Sequence, residues 1–394
     1  MSGRTYDYSL ELTKLGHKVT FFTNSFCHWS HKELLKPDER WRFEFIDGIR
    51  VVWLKTIPYS GNGFKRGLNM VSNYYRCLQV SRELSDSPDI VIGPSVPLGT
   101  GLAASKIAES KNAKFVFEVR DVWPAALVDD GGLSRWSPIF FIFRAIEKKL
   151  YRKANFISST LPLVFEHVKL SGSCPQKVKW LPNGVCLTRF ENLKDYDGGR
   201  KRKLTIMYIG GYGQAHDVIS IVRAANLLQS EKKYEFNFIL IGDGVKKRDC
   251  VKEARFLNLR NVEFKKPVKK SRLPQVQLEA DILIASVTKS DSYRFGLNLN
   301  KIFDYMASAR PIIFSGCAPN DPVKESGAGI SVSAESPSLL ADAILEISKL
   351  SPQQRRKMGL KGKRYVEDNF TMKFLGGKME KYLLGLKTEE NYSS

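Results

Sequence analysis

The chain has 394 residues, 43% of them hydrophobic and 26% charged, and a formal net charge of +21. That length suits two ordinary domains, and the composition excludes a disordered or fibrous protein. The positive charge falls on both halves and implies polyanionic company: nucleic acid, anionic lipid or phosphorylated substrates. Cysteines 27, 77, 174, 186, 250 and 317 are scattered with no C-x-x-C pair, which argues against a zinc site or disulfide framework and fits a reducing compartment. No apolar run of about 18 residues is present to span a membrane. The start, Met-Ser-Gly, enters an amphipathic helical pattern with no signal-peptide pattern.

In chain order, residues 4–15 read as a helix capped by Gly16, and 17–22 and 48–54 as strands. A basic helix over 64–85, interrupted by aromatic and aliphatic residues, leads to a short apolar strand at 89–93. Helices over 99–111, 137–153 and 161–170 alternate with strands over 114–119, 155–159 and 178–182. Residues 191–203 turn polar and Gly-bearing and read as a linker. A second series follows, with strands at 204–209, 236–241, 261–264, 281–286, 311–315 and 329–332. Helices at 216–229, 246–257, 271–277, 300–309 and 336–349 fall between and after them, and charged helices at 352–368 and 371–386 end the chain. Short apolar strands alternating with helices predict parallel sheets covered on both faces, hence an α/β protein with two tandem doubly wound, Rossmann-like domains. The expected division is 1–190, linker 191–203, 204–370, and a C-terminal helix over 371–394 returning to the first domain. A doubly wound domain opens with a strand and a Gly-rich turn. Here the first helix begins by residue 4 and Gly3 is all that stands for the turn, so the first strand is expected to be missing.

Ligands of such sheets bind beyond the carboxyl ends of the strands. Three stretches of the second series end there. Gly210-Gly211-Tyr212-Gly213 follows strand 204–209, and glycines at that place let backbone amides approach a phosphate. Gly242-Asp243-Gly244 follows strand 236–241. Asn298 to Ile312 predicts a helix starting near Asn300, burying Ile302, Phe303 and Met306 and stopping before Pro311. Its start offers free N–H groups, Lys301 adds a full positive charge, and Asp304 lies about one turn further on. Phosphates at the helix start with ribose hydroxyls on the carboxylate would grip a nucleoside diphosphate. An ordinary helix with a solvated Lys and Asp has the same pattern.

At this point the chain resembles the family-4 glycosyltransferases of the GT-B fold, in the branch that builds bacterial surface polysaccharides. Leu181-Pro-Asn183-Gly184-Val185 resembles the family's PNG(V)D turn, and Gly210 to Gly213 its donor-phosphate turn. Ile241-Gly-Asp-Gly244, Asn261-Val-Glu-Phe264 and Pro267-Val268 follow in the family's order. Lys301-Ile-Phe-Asp304-Tyr-Met-Ala307 is similar to SK(L/I)FEYMA, and Arg120-Asp121-Val-Trp123-Pro124 to RDLWP. The resemblance implies transfer of a hexosyl or N-acetylhexosaminyl unit from a nucleotide sugar, most simply a UDP-sugar, to a lipid-linked saccharide in O-antigen or capsule synthesis. It implies a retaining reaction and no cofactor. Donor contacts would come from Gly210, Gly211, Gly213, Gly242, Val268, Arg294, Asn300, Lys301 and Asp304, and acceptor contacts from Gly3, Arg120 and Trp123. Many members carry two Glu separated by seven residues; here Gly296 and Asp304 stand at those positions, and Lys301 and Arg294 take over the charge of the donor turn.

Breaking an anomeric C–O bond builds charge on the leaving diphosphate, so preorganised cations and amides should dominate the rate. Lys301, Arg294 and the Gly210–Gly213 amides are the candidates, with no metal, since Asp195 and Asp197 lie in the linker. Asp121 follows strand 114–119 and is the candidate base for the acceptor hydroxyl; a structural Arg120–Asp121 pair around Trp123 is the other reading. Residues 60–85 and 134–154 mix Lys and Arg with aromatic and aliphatic residues, which fits either core-facing helices or attachment to the anionic cytoplasmic face of the plasma membrane. A weak or inactive sugar-nucleotide-binding homologue is the competing function. Nucleic acid is not expected as a partner, because no recognised motif is present and the charge is not gathered on one element.

Overall fold

The structure, a computed structural model, describes all residues except 1–2, 28–31, 60, 62, 130–131, 192, 194–195, 200–202, 232 and 389–394; His28, His31 and Asp195 therefore lie outside the described residues. The chain divides into two compact units, Met1–Pro182 with Leu375–Ser394, and Asn183–Phe374.

In the first unit, Gly3 caps α1 (Arg4–Lys14), whose Tyr6, Tyr8 and Leu12 are buried. Then come β1 (Thr20–Asn24), β2 (Trp41–Ile46), β3 (Ile49–Leu54) and α2 (Phe64–Glu83). The series β4 (Ile90–Pro94), α3 (Leu98–Ser110), β5 (Lys114–Val119), α4 (Ala125–Asp129), α5 (Pro138–Lys153), β6 (Phe156–Ser159), α6 (Val164–Leu170) and β7 (Val178–Trp180) follows. The described strands form two sheets, β1-β3-β2 and β4-β5-β6-β7. The second is all parallel. The first is mixed, which corrects the expectation of purely parallel pairing. β2 runs antiparallel to β3, and the register Ile46 to Ile49 leaves a two-residue turn, Asp47-Gly48, with φ of +52° and +80°. Asp-Gly is the pair that such a hairpin favours, because both residues need positive φ. β2 escapes sequence reading because Phe43 and Phe45 are exposed, while Trp41 alone of its aromatic residues packs on the buried Val52 and Leu54.

The second unit holds β8 (Lys203–Ile209), α7 (Val218–Leu228), β9 (Glu235–Ile241), α8 (Lys247–Phe256), β10 (Val262–Lys265), α9 (Leu273–Gln277), β11 (Ile282–Ser286) and α10 (Asn300–Ala307). It continues through β12 (Ile312–Ser315), α11 (Pro322–Ser326), β13 (Gly329–Val332), α12 (Pro337–Lys349) and α13 (Pro352–Asn369). The last helix, α14 (Met372–Thr388), crosses the division, and in the first unit its Tyr382 packs against Phe156 with ring centroids 5.6 Å apart. The six strands are parallel in the order β10-β9-β8-β11-β12-β13. The run Ile282-Leu283-Ile284-Ala285-Ser286 is buried at every position, as a strand covered on both faces requires. Leu204, Ile206 and Phe238 pack with Ile221, Val222, Leu340 and Ile344 of α7 and α12.

Two residues of the polar stretch before β8 are packed into this unit. Tyr196 is buried and donates to the Asp281 carbonyl at 3.1 Å, and the Gly198 carbonyl accepts from the buried Arg355 Nε at 2.7 Å.

Candidate functional site

The strand order places the site. From β8 the chain winds outward to β9 and β10, then returns to lay β11 on the other side of β8. The switch of direction therefore lies between β8 and β11, and ligands of doubly wound sheets bind at that crevice beyond the carboxyl ends. The two strands part there. β8 pairs with β9 over seven residues, through Ile209, but with β11 only at Ile206–Ile282 and Met207–Leu283.

Three segments meet at the crevice. The first is the turn after β8. The N–H groups of Gly210 and Tyr212 donate to the Ile241 and Asp243 carbonyls at 3.0 and 2.9 Å, so these two amides belong to the strand framework. That narrows the expected donor-turn amides to Gly211 and Gly213. The second segment is the turn after β9. Gly242 has φ +144°, and a Cβ there would collide with the Gly210 carbonyl, so this glycine has a packing reason of its own. The third is α10, which begins at Asn300 and buries Ile302, Phe303 and Met306 as the sequence predicts.

Lys301 joins the first and third segments. Its ammonium donates to the Tyr208 hydroxyl at 3.0 Å and lies 4.2 Å from the centroid of that ring. The hydroxyl in turn donates to the Gly211 carbonyl at 2.6 Å. A Cβ on Gly210 would strike the Lys301 ammonium, so glycine is what lets the lysine reach over the turn. Burial pushes the Lys301 ammonium down to about 7. His216, at the end of the turn, is pushed down to about 4 by burial and by nearby Lys301, and its Nδ1 is buried with no partner among the described residues. Asp217 caps α7, accepting from Ser220 N at 3.3 Å, and burial raises its carboxyl above the ordinary value. Behind these groups the buried Tyr305 hydroxyl accepts from Ile209 N–H at 2.9 Å and donates to the Ile209 carbonyl at 3.1 Å.

The structure thus brings together Gly210, Gly211, Gly213, Gly242, Asn300 and Lys301. Asp304 is half-buried one turn along α10. Arg294 is exposed on the 291–295 turn, where it donates to the Asp291 carbonyl at 2.6 Å and lies over the Phe295 ring at 4.7 Å. Val268 is half-buried beyond β10, the edge strand, two strands away from β8. Among the described residues, no cluster of three His, Cys, Asp or Glu gathers to hold a metal, and Asp197 accepts from Gly199 N at 2.9 Å. Sequence reading passed over Tyr208 and Tyr305, since an aromatic residue at a strand end or on a helix face looks like core until its hydroxyl partner is known.

Gly3, Arg120, Asp121 and Trp123 belong to the first unit, around the carboxyl end of β5. There Glu118 is buried between two arginines. Arg4 Nε donates to it at 2.8 Å and Arg120 Nε at 2.6 Å. Arg4 also donates to the Pro182 and Leu181 carbonyls, each at 2.7 Å. Burial alone would raise the Glu118 carboxyl, but Arg4 and Arg120 outweigh it and hold the group below its ordinary value. Arg120 therefore pairs with Glu118 and with the Thr5 hydroxyl. Asp121 is exposed, while its carbonyl accepts from Ser95 Oγ at 3.0 Å and Trp123 N at 3.1 Å. Trp123 packs on Phe143 with ring centroids 6.3 Å apart.

Family models agree with this architecture. One described as "Glycosyl transferase 4-like domain" matches residues 1–184, and one described as "Glycosyl transferases group 1" matches 203–349. The chain belongs to the family-4 glycosyltransferases of the GT-B fold. Among solved structures, this glycosyltransferase is similar to sucrose-phosphate synthase from Thermosynechococcus elongatus at 15% identity, with 99% of this chain and 93% of that one covered and a TM-score of 0.74. A glycosyltransferase from Rickettsia africae is 16% identical over 97% of this chain and 93% of that one, with a TM-score of 0.67. HepE from Anabaena, solved with UDP and glucose, is 12% identical over 86% and 87%, with a TM-score of 0.64. Among curated proteins no sequence matches.

Proposed function

We propose that this glycosyltransferase binds the diphosphate of a nucleotide sugar at the β8–β11 crevice and moves the sugar to a lipid-linked saccharide in surface polysaccharide synthesis. The observation that carries the donor site is Lys301: a half-buried ammonium with a phenol hydroxyl for its partner and, among the described residues, no ion-paired carboxylate. A half-buried cation over a glycine turn with no carboxylate partner is stabilised by an anion. Solved relatives were crystallised with UDP or UDP-glucose, which favours a UDP-sugar.

In this reading Lys301, the Gly211 and Gly213 amides and the start of α10 at Asn300 stabilise the leaving diphosphate, and Asp304 takes the ribose hydroxyls. Arg294, Gly242 and Val268 line the donor's surroundings. Asp121 accepts the proton of the acceptor hydroxyl, with Gly3, Arg120 and Trp123 on the acceptor side. The reaction is retaining and uses protein cations in place of a metal.

The acceptor's lipid would bring the enzyme to the cytoplasmic face of the plasma membrane as a peripheral protein. Phe64, Leu68, Val71 and Tyr75 lie along one face of α2 and are exposed, Phe64 by 81%. Trp136, Ile139, Phe141 and Ile142 are exposed at the start of α5 beside Arg135 and Arg144. No helix of the described residues is long and apolar enough to cross a membrane. Binding of UDP-, GDP- and dTDP-sugars, measured by calorimetry, tests the reading; no binding from any of them would reject it.

A further inference from the structure

We infer that the Tyr305 hydroxyl is a positioning group, which holds the glycine turn in place against Lys301 so that one diphosphate can meet both. The inference rests on the reading of this turn as the donor-diphosphate site.

The argument starts from the ladder. At its carboxyl end β8 keeps β9 on one side, with Tyr208 opposite Leu240 and Ile209 opposite Ile241. On the other side its pairing with β11 ends at Met207. The N–H and C=O of Ile209 are buried where β11 no longer reaches, and buried backbone groups need partners. A single phenol supplies both, accepting from the N–H at 2.9 Å and donating to the C=O at 3.1 Å. Tyr305 thus stands in for a strand and keeps the crevice open.

The same residue ties the site together. Tyr305 is one turn beyond Lys301 on α10, on the same face. Ile209 is the residue before Gly210, over which the Lys301 ammonium sits. The phenol therefore sets the distance between the start of α10 and the turn. Tyr208 shares the task from the strand side, linking the ammonium to the Gly211 carbonyl. Tyr305 is 1% exposed and its ring is packed, so it acts through Lys301 and the turn and does not itself touch a ligand.

The test is Tyr305→Phe, which keeps the ring and removes the hydroxyl, with UDP, GDP and dTDP as calorimetric probes. The expected result is a dissociation constant raised about tenfold for the nucleotide that binds the wild type. A control at a buried core position of the same unit but away from the turn, Ile344→Val, should lower the melting temperature and leave that constant unchanged. If Tyr305→Phe does not fold, 3,5-difluorotyrosine at 305 keeps the shape and weakens the hydroxyl as an acceptor, and a rise of about two- to threefold is expected. Unchanged nucleotide affinity in whichever of these proteins folds overturns the inference and leaves the donor site standing. A wild type that binds none of the three probes overturns the donor site itself, and the inference with it.

Discussion

The Lys301 ammonium lies 3.0 Å from the Tyr208 hydroxyl and 4.2 Å from the centroid of the same ring. A phenol can polarise toward a cation but cannot neutralise it, so the lysine keeps a field directed at whatever occupies the turn. A charge-assisted contact to phosphate contributes roughly 1.5–3 kcal/mol. Lys301→Met should therefore weaken nucleoside diphosphate binding about tenfold or more. Calorimetry with the two proteins at one pH checks this, and equal affinities would remove Lys301 from the donor site.

The same burial makes stability depend on pH. The folded protein holds Lys301 down to about 7, against an ordinary lysine value of 10.5 when unfolded. Between those values the unfolded chain binds the extra proton, so this residue's contribution to stability rises with pH across that window and is at its lowest below 7. Without ligand, Lys301→Met should melt higher than wild type at pH 6–7, and the gap should narrow toward pH 10. Thermal melts of both proteins across that range decide it; a gap that does not change with pH would show that the ammonium is solvated.

Glu118 behaves in the opposite sense. Its folded value is depressed by Arg4 and Arg120, so its stabilising contribution is present above the ordinary carboxylate value and is lost as pH falls through the folded one. Glu118→Gln leaves two arginines facing a neutral amide, with Arg4 largely buried. Removing one partner of a buried pair costs about 3–5 kcal/mol. A melting temperature within 2 °C of wild type, by order of magnitude a negligible loss for a protein of this size, would contradict the role assigned to the cluster.

Asp121 is the proposed acceptor-side base. Asp121→Asn should lower turnover about 10²–10⁴-fold while donor affinity barely changes. Its backbone is anchored through Ser95 and Trp123, so the substitution should leave folding intact. Near-normal turnover would show that the acceptor proton leaves by another route, for instance to the donor phosphate.

Membrane attachment predicts binding to vesicles containing anionic lipid that weakens as salt rises. Replacing Phe64 and Tyr75 by serine should reduce that binding severalfold and leave nucleotide affinity unchanged. Co-sedimentation with neutral and anionic vesicles at low and high salt is the measurement, and equal binding to both lipid types would reject the electrostatic part.

Much of the framework was legible in the residues themselves. Period and punctuation placed β5, β9, β11 and α10 to within a residue or two, because the strands are apolar runs and the helix has one apolar face, each bounded by Gly, Pro or polar residues. The glycines after β8 and β9 and the lysine at the start of α10 could be named for the same reason. What local pattern cannot carry is pairing across distance. That Arg120 belongs to Glu118 and Arg4, that Tyr196 is buried under Asp281, and that Gly242 must be small because Gly210 lies against it all depend on segments far apart in the chain. Above all, the order β9-β8-β11 decides where the crevice opens, and only the folded sheet leaves Ile209 without a strand beside it for the Tyr305 hydroxyl to serve. A hydroxyl's partner is a matter of tertiary distance, so the sequence determined that Lys301 would stand at a helix start, and the fold decided that it would stand there half-buried with the Tyr208 hydroxyl as its partner.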